Sequence, residues 1–147
     1  MRAILVLVAM VLVGCASIEP NPNVLHDAYG RYGKALADNA VVERKNELFA
    51  PSMLSKLDSN SEKDTAELTF GTYLYKERSH YERVDGQHGC LTINGEQEDG
   101  KPAAMFLEYQ RSSGSWLISN VYVYLQDKPK SFDRALCPEE ARREIMH

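Results

Sequence analysis

The chain has 147 residues, 17 basic and 21 acidic, for a formal net charge of −4, and 44% of it is hydrophobic. That length fits one domain with a core of its own. No basic block occurs along it, which excludes nucleic acid and anionic lipid head groups as electrostatic partners.

At the N-terminus, Arg2 precedes an unbroken apolar run from Ala3 to Val13. At about 1.5 Å per residue such a run reaches about 17 Å, short of a ~30 Å hydrocarbon core, so it reads as a processing signal and not a span. Leu12-Val13-Gly14-Cys15 then resembles the bacterial lipobox, with a small residue before the cut and a thiol after it. The resemblance implies a signal peptide over residues 1–14 and a mature chain whose Cys15 carries palmitate-type acyl chains. Two or more such chains anchor a protein where one would not. Two further cysteines remain, Cys90 and Cys137. In an oxidising export compartment an even pair reads as a disulfide, ahead of two buried thiols or a metal site. Closing a loop of that length is worth about 4 kcal/mol on the chain-entropy model. A disulfide also points to a periplasm-bearing cell. There, Asp directly after the lipidated Cys favours retention in the inner membrane, so Ala16 points to the outer membrane.

Residues 15–23, with Pro20 and Pro22, form a tether. A first helix follows, capped by Asn23, with Leu25, Ala28, Tyr29, Tyr32 and Leu36 in one apolar stripe. A second helix is expected from about Val41 to Phe49, broken by Pro51, with Met53, Leu54 and Leu57 in the turn that follows. After a polar connection, Ser61 and Asp64 look like a capping box for a third helix through Leu68, Thr72 and Tyr75. Then the period changes to two. Strands are expected over Ser79–Val84, Gly89–Gly95, Ala103–Arg111 and Trp116–Leu125, joined at Asp85-Gly86, Asp99-Gly100 and Ser112–Ser115. Residues 126–147 form a polar tail with a short helix opened by Pro138, tied back if Cys137 reaches Cys90.

Helices first and an antiparallel meander afterwards define an α+β class. Gly89-Cys90-Leu91-Thr92-Ile93, Asp99-Gly100-Lys101-Pro102-Ala103 and Ser113-Gly114-Ser115-Trp116-Leu117-Ile118 together resemble the closing strands of the NTF2-like (SnoaL-like, cystatin-type cone) superfamily. Phe49-Ala50-Pro51-Ser52-Met53-Leu54 is similar to the break after the second helix in small lipoproteins of that group. The resemblance covers residues 24–125. It implies N-terminal helices packed on a curved antiparallel sheet, and it implies a shape rather than an activity.

Regular pairing across the Ser112–Ser115 turn sets Tyr109 opposite Ile118, Leu107 opposite Asn120 and Met105 opposite Tyr122. The concave face would then carry Asn120 and Tyr122, which with Tyr29 and Tyr32 make a candidate pocket. Phe106, Leu117, Val121 and Val123 would line the other face as a candidate interface, for a homodimer or a periplasmic protein partner. The alternative is that the C-terminal tail covers them. Enzymes of the SnoaL-like type keep an acid/base pair inside the cone, and this concave face offers only Asn120 and tyrosines. His26 and Asp27 are helix neighbours that cannot face one another, and His80, His88 and Cys90 match no zinc spacing. The expectation is a non-catalytic protein-binding or assembly module without metal or cofactor, lipid-anchored at the outer membrane and facing the periplasm. A small-ligand carrier is the alternative, with a SnoaL-like enzyme behind it.

Overall fold

The computed structural model describes residues 23–58 and 60–147. The signal segment, Cys15 and the tether up to residue 22 lie outside the described residues. Among those described, no helix is long and apolar enough to cross a membrane.

Helix α1 (Val24–Ala37) buries Leu25, Ala28, Tyr32 and Ala35. The expected second helix is cut short to α2 (Lys45–Leu48), followed by α3 (Pro51–Leu54) with proline in its first turn. Between them Phe49 is extended and bridges Ile118, and the Ala50 amide donates to the Ile118 carbonyl at 2.8 Å. Pairing with the sheet thus replaces the last helical turn. Helix α4 (Glu62–Glu67) starts where expected, with the Ser61 hydroxyl accepting from the Asp64 amide. It does not continue to Tyr75, because the next stretch bonds to α1 instead. Tyr32 donates its hydroxyl hydrogen to the Leu68 carbonyl and accepts from the Gly71 amide, each at 2.9 Å. A 3₁₀ turn over Phe70–Tyr73 follows.

Four strands make an antiparallel meander in the order β1 (Lys76–Asp85), β2 (His88–Glu96), β3 (Pro102–Ser112), β4 (Ser115–Leu125). The β3–β4 turn holds Ser113 at φ 49° and Gly114 at φ 81°, the backbone sign at both central residues that suits a two-residue hairpin. Two bulges interrupt the ladders. One lies in β1 between Glu77 and Ser79, and one in β4 opposite Glu108 and Tyr109. A bulge bends its strand and shifts which side chains share a face.

The sheet is covered on both sides. On one side Leu91, Ile93, Met105, Leu107, Tyr109, Trp116 and Ile118 pack against Leu25, Tyr32, Phe49, Leu68 and Phe70. On the other, Ala104 and Phe106 pack under Phe132, Leu136 and Ala141, from the tail and α5 (Pro138–Met146). The tail is therefore a structural layer. Cys90, Thr92 and Asn94, alternate residues on one face of β2, each hold it. Cys90 is bonded to Cys137. The Thr92 hydroxyl accepts from the Leu136 amide at 2.9 Å. Asn94 accepts from the Phe132 amide at 2.9 Å and donates to the Phe132 carbonyl at 2.7 Å. Phe132 and Leu136, buried this way, each contribute about 1.5–3 kcal/mol of transfer free energy.

Candidate functional site

Inside the helix-covered side, the Tyr32 ring stacks on Phe70 at 4.6 Å and meets Phe49 edge-on at 5.9 Å. Burial, with the nearby Glu77 charge, pushes the Tyr29 phenol up to about 12. Burial likewise holds Tyr32 and Tyr109 well above the ordinary phenol value. All three stay neutral at physiological pH, able to donate or accept a hydrogen bond and unable to act as bases. The Tyr109 hydroxyl is buried with no partner among the described residues.

The bulge in β4 corrects the expected faces. Ser119 is the extra residue, so Asn120 stands opposite Glu108, Val121 opposite Leu107, Tyr122 opposite Phe106 and Val123 opposite Met105. Beyond Ser119 every side chain of β4 changes sides. Tyr122 lies on the tail side, stacked on Phe106 at 6.0 Å beneath the Arg142 guanidinium. The Asn120 side chain turns back to accept from the Val121 amide at 2.9 Å. Neither joins Tyr29 and Tyr32, so the expected pocket does not form. The expected interface also divides. Val121 and Val123 pack against the helix-side core, while Phe106 is fully buried under Phe132. Leu117, itself largely buried, lies at the edge of a cleft of about 880 Å³. That cleft runs between α2, α3 and the β3–β4 turn, and Arg31, Arg44, Lys45 and Ser113 line it. Arg44 is engaged by Glu47 at 2.9 Å.

A second constellation joins residues far apart in the chain. The ligating atoms of His26, Glu77 and His80 all lie within 4.8 Å of one another. His26 Nε2 is 2.9 Å from both Glu77 carboxylate oxygens, and His80 Nδ1 is 2.8 Å from Oε1. The two imidazoles stack at 3.7 Å and 8°. Glu77 and His80 are three residues apart and would point to opposite faces of a regular strand. The β1 bulge brings them to the same face. Gly95 permits it, since a β-carbon there would collide with the Lys76 carbonyl oxygen. Glu82 sets the third corner by accepting from the first amides of α1, Leu25 at 3.3 Å and His26 at 2.9 Å. His88 and Cys90 take no part in this cluster. The bulge is the element that chain spacing alone does not reveal, although Gly95 within an alternating strand is its trace.

No protein-family model matches the chain, and no curated protein is similar to it. Among solved structures it is similar to one described as a calcium/calmodulin dependent protein kinase II association domain from Xanthomonas campestris. The identity is 17%, over 77% of this chain and 93% of that one, with a TM-score of 0.46. Superposition at that level assigns neither a family nor a function.

Proposed function

We propose that the chain is an exported lipoprotein, cut before Cys15, acylated there and held at the outer membrane, whose NTF2-like domain is a non-catalytic binding module. The observation that carries the non-catalytic part is the filled helix side of the sheet. Tyr32, Phe49 and Phe70 pack together there, and the carboxylate–imidazole contacts on that side, Glu77 with His26 and His80, which the expectation of only Asn120 and tyrosines missed, lie on the edge strand β1 with side chains about 30% exposed. The lipobox-like Leu12–Cys15 and the Cys90–Cys137 bond support export. Of the residues that the sequence offered for a homodimer, the tail covers Phe106, and Val121 and Val123 pack on the helix side, which favours the cleft beside Leu117 as the binding surface. Its Arg31 and Lys45 suit an acidic segment of a periplasmic protein. Rim charges of this kind contribute about 0.2–1 kcal/mol each and steer association more than they tighten it.

Photo-cross-linking in intact cells tests this, with the reactive residue at Ser55 or Ser113 in the cleft and at Glu98 on the β2–β3 turn as the control. One discrete adduct is expected from both cleft positions, weakened by Arg31→Glu. Equal adducts from Glu98, or none from the cleft, would contradict the reading.

A further inference from the structure

We propose that His26, Glu77 and His80 form a binding site for a divalent transition-metal ion, with Zn²⁺ the best-suited occupant. Two imidazole nitrogens and one carboxylate are a donor set that zinc accepts while keeping one position open. Donor atoms around a tetrahedral zinc stand about 3.3 Å apart, given Zn–N and Zn–O bonds of about 2.0–2.1 Å. Here each imidazole nitrogen stands 2.8–2.9 Å from Glu77 Oε1 and all three donor atoms lie within 4.8 Å of one another, so side-chain adjustment alone would seat the ion.

Three further observations support the site independently of the binding-module reading. The β1 bulge re-aims Glu77 onto the His80 face. His80 Nε2 lies 3.2 Å from Asn23 Oδ1, so donation there leaves the Nδ1 lone pair directed at the centre of the cluster. Metal-bound histidines hold their outer nitrogen in this way. The cluster is also rigid and reachable. Stacked rings and the Glu82-held helix start fix its shape, while side-chain exposures of 29% for each histidine and 30% for Glu77 leave an entry path. A fourth position would remain for a water molecule.

The test is calorimetric titration of the untagged mature protein, extracted from membranes in detergent, with Zn²⁺ alone and with Mg²⁺ as the hard-cation control. One equivalent of Zn²⁺ should bind and Mg²⁺ should not. His80→Ala and Glu77→Gln should each weaken binding by at least about tenfold, with unchanged circular dichroism, while His88→Ala leaves it intact. Should His80→Ala fail to fold, His80→Gln serves in its place. Co²⁺ substitution supplies a second readout, and its visible bands should vanish in Glu77→Gln. Zinc binding that survives His80→Ala, or no Zn²⁺ binding at all, would overturn the proposal and leave a hydrogen-bonded cluster.

Discussion

Replacing Asn94 with Leu should detach the tail from the sheet without touching the helix side. Asn94 is 5% exposed and makes three bonds: from the Phe132 amide at 2.9 Å, to the Phe132 carbonyl at 2.7 Å and to the Ser79 hydroxyl at 3.1 Å. Leucine removes all three and strands a buried N–H and C=O, each costing about 1–3 kcal/mol. The sum is about 2–6 kcal/mol, and in a domain of this size each kcal/mol lowers Tm by about 3–5 °C. Tm should therefore fall by about 6 °C or more. Hydrogen exchange should accelerate across residues 126–147 before the amides around Trp116 respond. Asn94→Asp keeps the acceptor for the Phe132 amide but sets a carboxylate against the Phe132 carbonyl. Its penalty should ease as pH falls and the carboxyl takes up a proton. A Tm loss of under about 1 kcal/mol equivalent for Asn94→Leu, or uniform exchange, would refute the tail's role as a structural layer.

Val121→Glu should destabilise the domain rather than split an assembly, because the partly buried Val121 packs against the helix-side core. A cost of about 2–3 kcal/mol is expected in chemical denaturation, with light scattering unchanged. A change in assembly size at constant stability would contradict it. Glu140 accepts from the Cys137 amide at 2.8 Å and pairs with Arg83, and the amide bond followed by the guanidinium holds its carboxyl below the ordinary value of 4.5. A depressed folded-state value stabilises the fold above the unfolded value and is lost as pH falls through the folded one. The Tm deficit of Glu140→Gln should thus be present at neutral pH and vanish on acidification below the carboxylate range. It should be small, since Glu140 is largely solvated.

The element order and all four strands were legible because alternation from His80 onward is regular and the turns carry Asp85-Gly86, Asp99-Gly100 and Gly114. Which side chains share a face was not. Register counted in steps of two survives as far as Ile118, and then Ser119 enters as an unpaired residue and inverts Asn120–Leu125. The polar pair Ser119-Asn120, interrupting an apolar run, is the trace of that bulge. The short second and third helices have the same kind of cause. Phe49 and Gly71 bond to distant partners, Ile118 and Tyr32, and such tertiary bonds outweigh local propensity. The covering of Phe106 follows from Thr92 and Asn94, polar residues at buried positions in a strand whose alternate residues Leu91 and Ile93 are apolar. Read as tail anchors, they predict a second layer. The His26–Glu77–His80 cluster needed both the β1 bulge and the helix crossing, so neither histidine looked partnered in the sequence.

Export and lipid anchoring are tested most directly by intact-mass spectrometry of the protein extracted from membranes, run with and without reductant. The predicted mass is that of residues 15–147 plus acyl chains on Cys15, rising by two hydrogens on reduction as the Cys90–Cys137 bond opens. A chain still beginning at Met1, or a mature chain without lipid, would contradict it.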